Sequence, residues 1–231
     1  MQASPLTQQT APLSRAIAER AVELDRSSVP DDVWEYLKLC LADSVGIAFA
    51  SRHYEFAQKS LDSLALLGSA GQSSIIGQNA PAAIRDAAMM NGLLIHGLDY
   101  DDTHLASVVH CSASAFPAAL ALTEQRALSG ADLMLATLIA IEIDAMLGTQ
   151  AGGVFQQVGF HPTGVVGVFG ATVAAARLLG GDTDALVRAQ GVALSLSSGS
   201  MAFLDDGSWT KRLHPGWAAS AALQAAALGV S

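Results

Sequence analysis

Cysteine is scarce in this chain, with only Cys40 and Cys111 among 231 residues. Two thiols are too few for a disulfide framework, for a zinc site built from cysteines or for an iron–sulfur cluster held by the chain's own thiolates. The cysteine content therefore predicts a protein of a reducing compartment, the cytoplasm.

Positive charge is also scarce. The chain has 12 Lys and Arg against 21 Asp and Glu, a formal net charge of −9 and a sequence pI near 4.9. Because no basic field exists to attract phosphates or anionic headgroups, the charge argues against a general role on nucleic acid or on a membrane surface. An acidic substrate would need a local cationic pocket.

Long apolar runs are missing, although mean hydropathy is +0.37. Charged residues such as Asp43, Asp144 and Arg177 interrupt the longest runs, so none reaches the roughly 18 to 20 residues of a membrane span. The opening residues, "MQASPLTQQTAP", lack the positive start and apolar run of a secretory signal. We predict a soluble protein with a loose N-terminal tail at 1–12.

Apolar residues at helical spacing are abundant, and hydrophobic residues make up 51% of the chain. Pro30 followed by two acidic residues is typical of a helix start. The segments predicted as helices are approximately 11–25, 30–50, 55–67, 81–100, 114–127, 130–147, 162–179, 183–195 and 215–228; 73–77 is a strand or a connector. The pattern predicts an all-α, multi-helix globular domain over 13–231.

Three glycines recur at every third position of one predicted helix: Gly164, Gly167 and Gly170. They lie on one side of that helix. Because a glycine has no Cβ, this side is predicted to pack closely against a neighbouring helix.

Two segments each place a histidine directly before a proline, "GFHPTG" at His161 and "KRLHPG" at His214. Because Pro favours the first helical position, each imidazole is predicted to stand at a helix N-terminus. The free N–H groups and the helix dipole there favour anions and disfavour protonation of the imidazole. A His-Pro pair before a helix more often only caps the helix than takes part in catalysis. Because the pair occurs twice here, once beside Lys211 and Arg212, we give capping and catalysis about equal weight.

The stretch "HGLDYDDTH" at 96–104 gathers Asp99, Asp101 and Asp102 in a chain with only 14% charged residues. On a helix, Asp99 and Asp102 would share a face. The histidines in or near this stretch are His96, His104 and His110. The group suits a divalent-metal site, a general acid with two supporting carboxylates, or a capped helix end. The spacings match no standard zinc pattern, so we predict a proton-transfer network without a metal.

Three blocks in order carry a resemblance to a known family. They are "NGLLIHGLDYDDTH" with His110 downstream, "GFHPTGVVGVFGATVAAARLLGGD", and "DGSWTKRLHPGWAASAALQAAAL". Together they resemble the MmgE/PrpD family, which includes 2-methylcitrate dehydratase, cis-aconitate decarboxylase and iminodisuccinate epimerase. The resemblance implies a large helical domain, normally followed by a smaller α/β lid domain that covers the active site, a homodimer, and cofactor-free chemistry on small di- or tricarboxylates. Because the sequence stops at Ser231, where that lid would begin, we expect this chain to be the helical domain truncated at its C-terminal end, without the lid.

Transferred residue by residue, the resemblance implies a pocket formed by Asp99, Thr103, His110, His161, Lys211 and His214. Cys111 follows His110, where the family usually has Pro. We predict that the Cys111 thiol is buried and inert.

The predicted roles of these residues follow from the chemistry of the substrates. When a proton next to a substrate carboxylate, or the carboxylate itself, is removed, negative charge develops on the carboxylate oxygens in the transition state. Lys211 and the helix end at His214 would stabilise that charge, by up to about 3 kcal/mol for a well-placed donor. His161 is the predicted proton-transfer group, because a neutral imidazole at a helix N-terminus has a pKa suited to neutrality. Asp99 would orient His110 and Thr103 would hydrogen-bond substrate. The remaining two acids, Asp101 and Asp102, are predicted to be structural.

The same side chains serve several reactions. Dehydration needs an acid for the leaving hydroxyl, decarboxylation needs a proton delivered to carbon, and epimerisation needs acid and base on opposite faces. We rank a dehydratase or decarboxylase first, with 2-methylcitrate or cis-aconitate as examples of substrate, and a dicarboxylate epimerase second.

Two alternatives lie outside this interpretation. Asp99 to Asp102 also fits the Asp-x-Asp-Asp acid motif of helical terpene cyclases, but those enzymes need an aromatic-lined cavity and this chain is only 6% aromatic. The other alternative is a non-catalytic helical fragment that serves dimerisation.

Overall fold

The computed structural model describes residues 12–67 and 70–231, so nearly all of the predicted tail at 1–12 lies outside the described residues. The helices are α1 Leu13–Glu23, α2 Asp31–Ser51, α3 Glu55–Leu67, α4 Ile84–Ile95, α5 Ser112–Arg126, α6 Gly130–Ala151, α7 Val154–Gln157, α8 Pro162–Leu178, α9 Thr183–Leu196, α10 Phe203–Asp206 and α11 Leu213–Val230. Short 3₁₀ turns occupy Arg26–Ser28, His96–Leu98 and Trp209–Arg212. The predicted all-α fold class is confirmed.

Several boundaries differ from the prediction. The helix expected over 81–100 covers only Ile84–Ile95, and the short helices α7 and α10 were not predicted. The segment 73–77 is a connector, in which Ser73 forms an isolated bridge with Ala82. Within the described residues, no helix combines the length and the apolarity that a membrane crossing requires.

Helices α8 and α11 lie at the centre of the domain, and α11 packs against α4, α8 and α9. The close packing predicted for the three glycines of α8 is confirmed. A Cβ at Gly164 would lie 2.7 Å from the Ser198 carbonyl oxygen, and one at Gly167 would lie 2.5 Å from Ser114 Oγ. A Cβ at Gly170 would overlap the carbonyl oxygen of Ala140 in α6. Small residues therefore set the helix spacing on which the site depends.

One carboxyl lies inside this packed core. Asp144 of α6 is 0% exposed, and its Oδ1 accepts a hydrogen bond from the Gly170 N–H at 3.1 Å. Burial raises the pKa of Asp144 well above its usual value, and the hydrogen bonds from Gly170 and Ser114 only partly oppose this rise.

Asp144→Asn is expected to stabilise the protein increasingly as pH rises above about 4. The unfolded chain releases the proton of Asp144 there while the folded protein retains it, so the wild type loses about 1.4 kcal/mol of stability per pH unit until the folded pKa is reached. Denaturant unfolding of both proteins between pH 4 and pH 8 measures the difference. Glu142→Gln, an exposed change on the same helix, is the control. A stability difference that stays constant with pH would show that Asp144 is ionised in the folded protein.

Candidate active site

The loop that carries the acidic stretch begins where α4 ends. The 3₁₀ turn His96–Leu98 follows α4, and Asp99 then adopts the left-handed conformation with φ of 55°. Helical geometry therefore stops before Asp99, and the helical face expected to join Asp99 and Asp102 does not form. A Cβ at Gly97 would lie 2.5 Å from the Phe56 ring, so the turn is held tightly against α3.

Arg212 fixes the same turn from the other side. Its Nε donates to the Gly97 carbonyl oxygen at 2.6 Å, and its guanidinium lies 4.7 Å from the centroid of the Phe56 ring. These contacts occupy Arg212 structurally and bring the neighbouring Lys211 to the acidic loop. Lys211 Nζ contacts Asp99 Oδ1 at 2.5 Å, across 112 positions of sequence. Burial alone would raise the pKa of Asp99, but the bond and charge of Lys211 lower it below its usual value.

Asp101 is the most enclosed of the three acids, with a side chain only 1% exposed. Its carboxylate oxygens lie 3.0 and 3.1 Å from His96 Nδ1, and Oδ1 lies 3.3 Å from His110 Nδ1. Burial favours the neutral acid, yet the two imidazoles outweigh burial and hold the pKa of Asp101 well below its usual range. The structure therefore places an ionised carboxylate between two histidines.

His110 combines several of these contacts. Burial lowers its pKa, but the hydrogen bond and the charge of Asp101 outweigh burial, and the net pKa is raised. The Nδ1 atom also lies 3.2 Å from Thr103 Oγ1, while Nε2 lies 3.6 Å from Asp99 Oδ1. The Thr163 hydroxyl accepts a hydrogen bond from the His110 backbone N–H at 3.1 Å.

The two His-Pro segments meet each other in space. His161 precedes α8 with Pro162 as the first helical residue, as predicted. His214 does not precede its helix, because the turn Trp209–Arg212 runs directly into α11 and the helix already begins at Leu213. The Nδ1 atoms of His161 and His214 are 3.1 Å apart, so one ring donates a hydrogen to the other.

Both of these histidines are neutral near pH 7. Burial, followed by the nearby histidines, lowers the pKa of His161 to about 2, and burial lowers the pKa of His214 to about 4. For His161 this is far below the value near neutrality that the sequence suggested. A bound carboxylate beside the ring would raise this pKa again, because an opposite charge favours the protonated form.

Four imidazoles thus form a row, which we call the histidine row. Ring centroids are 4.6 Å apart for His110 and His96, 5.6 Å for His96 and His161, and 5.3 Å for His161 and His214. His104 lies outside the row, and its Nδ1 is 2.8 Å from Ser107 Oγ.

The structure brings together all six side chains that the resemblance implied, and it adds His96 and Asp101 to them. The density of His and Asp between 96 and 110 marked this region in the sequence. It did not show which of the three acids turns inward.

Asp102 and Cys111 face away from the histidine row. Both line a cavity of about 290 Å³, together with Cys40 and residues of α2 and α6. Burial raises the pKa of Asp102 and also that of the Cys111 thiol, which is 1% exposed. The thiol is buried, as predicted, and the thiolate that would react is disfavoured.

Four groups near the row have the spacing of a possible metal site. His96, Asp99, Asp101 and His110 can each place one ligand atom within 4.8 Å of the others. Several of these ligand atoms already have partners within the chain: Lys211 pairs with Asp99, and both imidazole Nδ1 atoms face Asp101. A metal ion bound through Asp99 Oδ1 would compete with the Lys211 ammonium. The metal-free network stays a prediction.

Comparison with known proteins places this chain in a family. The MmgE/PrpD N-terminal domain model matches residues 15–230. Cis-aconitate decarboxylase-like protein oryM of Aspergillus oryzae is 28% identical over 205 residues, which cover 85% of this chain and 42% of that protein. Cis-aconitate decarboxylase of Aspergillus terreus is 27% identical over 209 residues, 88% of this chain and 42% of that protein.

Cis-aconitate decarboxylase of Homo sapiens is 36% identical over 152 residues, covering 62% of this chain and 30% of that protein. The chain therefore spans less than half of the length of these relatives. Because the family model matches nearly the whole chain, this protein belongs to the MmgE/PrpD family.

Proposed function

We propose that the protein is a lyase that acts on a small di- or tricarboxylate, with decarboxylation of cis-aconitate as its reaction. The observation that carries the proposal is the position of Asp99 between Lys211 and His110. It places an ammonium that can bind an anion close to an imidazole that can donate a proton. The names of the relatives support cis-aconitate as substrate. Homodimer formation and a cytoplasmic location remain predictions.

Lys211 is the group best placed to bind a substrate carboxylate. Its side chain is 25% exposed, and its partner Asp99 is 56% exposed, so an incoming anion can reach the pair. Arg212 is not available for this role because it is bonded to the Gly97 carbonyl oxygen. Thr103, which contacts His110, and His214, which contacts His161, offer further hydrogen-bonding groups.

The proton balance of decarboxylation suits His110. Breaking the bond between carbon and a carboxylate releases carbon dioxide and leaves the electron pair on the substrate, where carbon then takes a proton. His110 has a raised pKa and holds that proton, whereas His161 has a pKa of about 2 and is neutral. We assign proton delivery to His110 and hydrogen bonding of the substrate to His161. Water from solution restores the proton to His110.

Turnover assays on the full-length protein test the proposal. We expect purified protein to release carbon dioxide from cis-aconitate and to give one unsaturated dicarboxylate, observed by proton NMR. Parallel reactions use 2-methylcitrate and iminodisuccinate. If the protein only removes water from 2-methylcitrate, we would assign it as a dehydratase instead of a decarboxylase. If it only inverts iminodisuccinate, we would assign it as an epimerase instead of a lyase. Inactivity on all three would favour a non-catalytic role in dimerisation.

A further inference from the structure

The buried carboxylate of Asp101 neither binds substrate nor delivers a proton in the proposed reaction. Its side chain is only 1% exposed, and its partners among the described residues are imidazoles rather than Lys or Arg. An ionised carboxylate removed from water is costly unless a positive charge or several hydrogen bonds compensate it. One of the two neighbouring imidazoles is therefore the group that carries the compensating proton.

The hydrogen bonds decide which imidazole that is. The Asp101 carboxylate bonds His96 Nδ1 and lies 3.3 Å from His110 Nδ1, and the Asp101 backbone carbonyl oxygen also lies 3.3 Å from His110 Nδ1. Because carboxylate and carbonyl oxygens only accept, each ring has its hydrogen on Nδ1. His96 is 0% exposed, and its Nε2 has no hydrogen-bond partner within the described part of the chain. A second hydrogen on His96 would leave a charged N–H buried without an acceptor, which costs more than an unshared lone pair. A second hydrogen on His110 would instead face a carboxylate, because Asp99 Oδ1 lies 3.6 Å from Nε2, within ion-pair distance although too long for a hydrogen bond.

From this arrangement we propose that Asp101 is a positioning residue, which holds Nδ1–H of His110 so that Nε2–H faces the Lys211–Asp99 pair as the proton to be delivered. The hydrogen bond at one imidazole nitrogen determines the tautomer and the free atom at the other. This assignment rests on the proposed function for its catalytic meaning. The geometry itself can be tested without substrate.

The charged groups around His110 act in opposite directions. Asp101 and Asp99 favour its protonated form, while Lys211 disfavours it. His96 contacts its ring edge, and the neutral His161 lies beyond His96 in the row. Because Asp101 is the acid whose carboxylate bonds His110 Nδ1, its charge is expected to dominate the balance.

Nitrogen-15 NMR of histidine-labelled, full-length protein tests the assignment, with His110→Asn used to identify the signals. In the wild type we expect His110 to titrate above the usual histidine value of about 6.5 and to keep its hydrogen on Nδ1. Asp101→Asn should lower this pKa by roughly 1 to 3 units, the range expected for loss of an adjacent opposite charge. Asp102→Asn, the neighbouring acid that faces the other cavity, is the matched control and should cause a far smaller shift.

The outcomes separate this inference from the proposed function. A wild-type His110 that titrates below the usual histidine value, or that lacks a hydrogen on Nδ1, would overturn the inference even if the variants fail to fold. An unchanged His110 titration in Asp101→Asn would overturn it as well. If the protein turns over substrate, the alkaline limb of the kcat/KM profile should move to lower pH in Asp101→Asn by the same shift as the NMR titration. A merely structural role would lower activity without moving that limb.

Discussion

Lys211→Met is expected to reduce kcat/KM on the substrate about 10²- to 10³-fold, the typical loss for one well-placed donor to a developing negative charge. Lys211 is the ammonium that contacts Asp99, and the adjacent Arg212 cannot substitute for it because it is bound to the Gly97 carbonyl oxygen. Loss of the amine also leaves the Asp99 carboxylate facing the substrate carboxylate without a neutralising partner. Steady-state kinetics of the full-length protein measure the effect.

Lys59→Met is the matched control, because Lys59 also pairs with a carboxylate. That pair, with Glu55 at 2.6 Å, lies on the exposed surface of α3 and contributes little to stability. We expect its kcat/KM to stay within about two-fold of the wild type, since surface ion pairs far from a site rarely affect it. Equal kinetics for wild type and Lys211→Met, with both proteins folded, would remove Lys211 from the site.

The sequence predicted helix starts well where neighbouring residues determine them. Pro30, Asp31 and Asp32 marked the start of α2, and His161 with Pro162 marked the start of α8. The end of α4 was missed because it depends on distant residues. The Arg212 hydrogen bond to Gly97 and the packing of Phe56 hold the turn at 96–98, and neither contact has a signature in the neighbouring sequence.

The directions of the three acidic side chains likewise could not be predicted from the neighbouring sequence. Asp99, Asp101 and Asp102 are nearly adjacent in sequence, yet one pairs with Lys211, one lies between two imidazoles and one lines another cavity. Side chains on an irregular loop point in directions that no periodicity predicts. Composition could therefore identify the loop, while only the fold could show that the innermost carboxylate is Asp101.

The crossing of α4 and α11 links this site to stability. Helix α4 leads into His96 and Asp99, and α11 begins beside Lys211, so the distance between the two helices sets the contact between Lys211 and Asp99. At the crossing, a Cβ on Gly92 would lie 2.6 Å from the Cα of Gly216. Two facing glycines thus allow the two helix backbones to touch.

Gly216→Ala is expected to destabilise the protein by about 1 to 3 kcal/mol, the usual cost of overpacking, which corresponds to about 2 to 4 °C in Tm per kcal/mol for a protein of this size. The added Cβ would overlap the Met89 carbonyl oxygen and lie 3.0 Å from the Leu93 backbone nitrogen, so relief requires a shift of α4. Gly191→Ala in α9 is the control, because a Cβ there meets nothing within 4 Å. It should raise stability by roughly 0.5 to 1 kcal/mol through helix propensity. Thermal unfolding of both variants should therefore show shifts of opposite sign, whereas a Gly216→Ala protein that unfolds at or above the wild-type Tm would mean that α4 and α11 do not touch at this crossing.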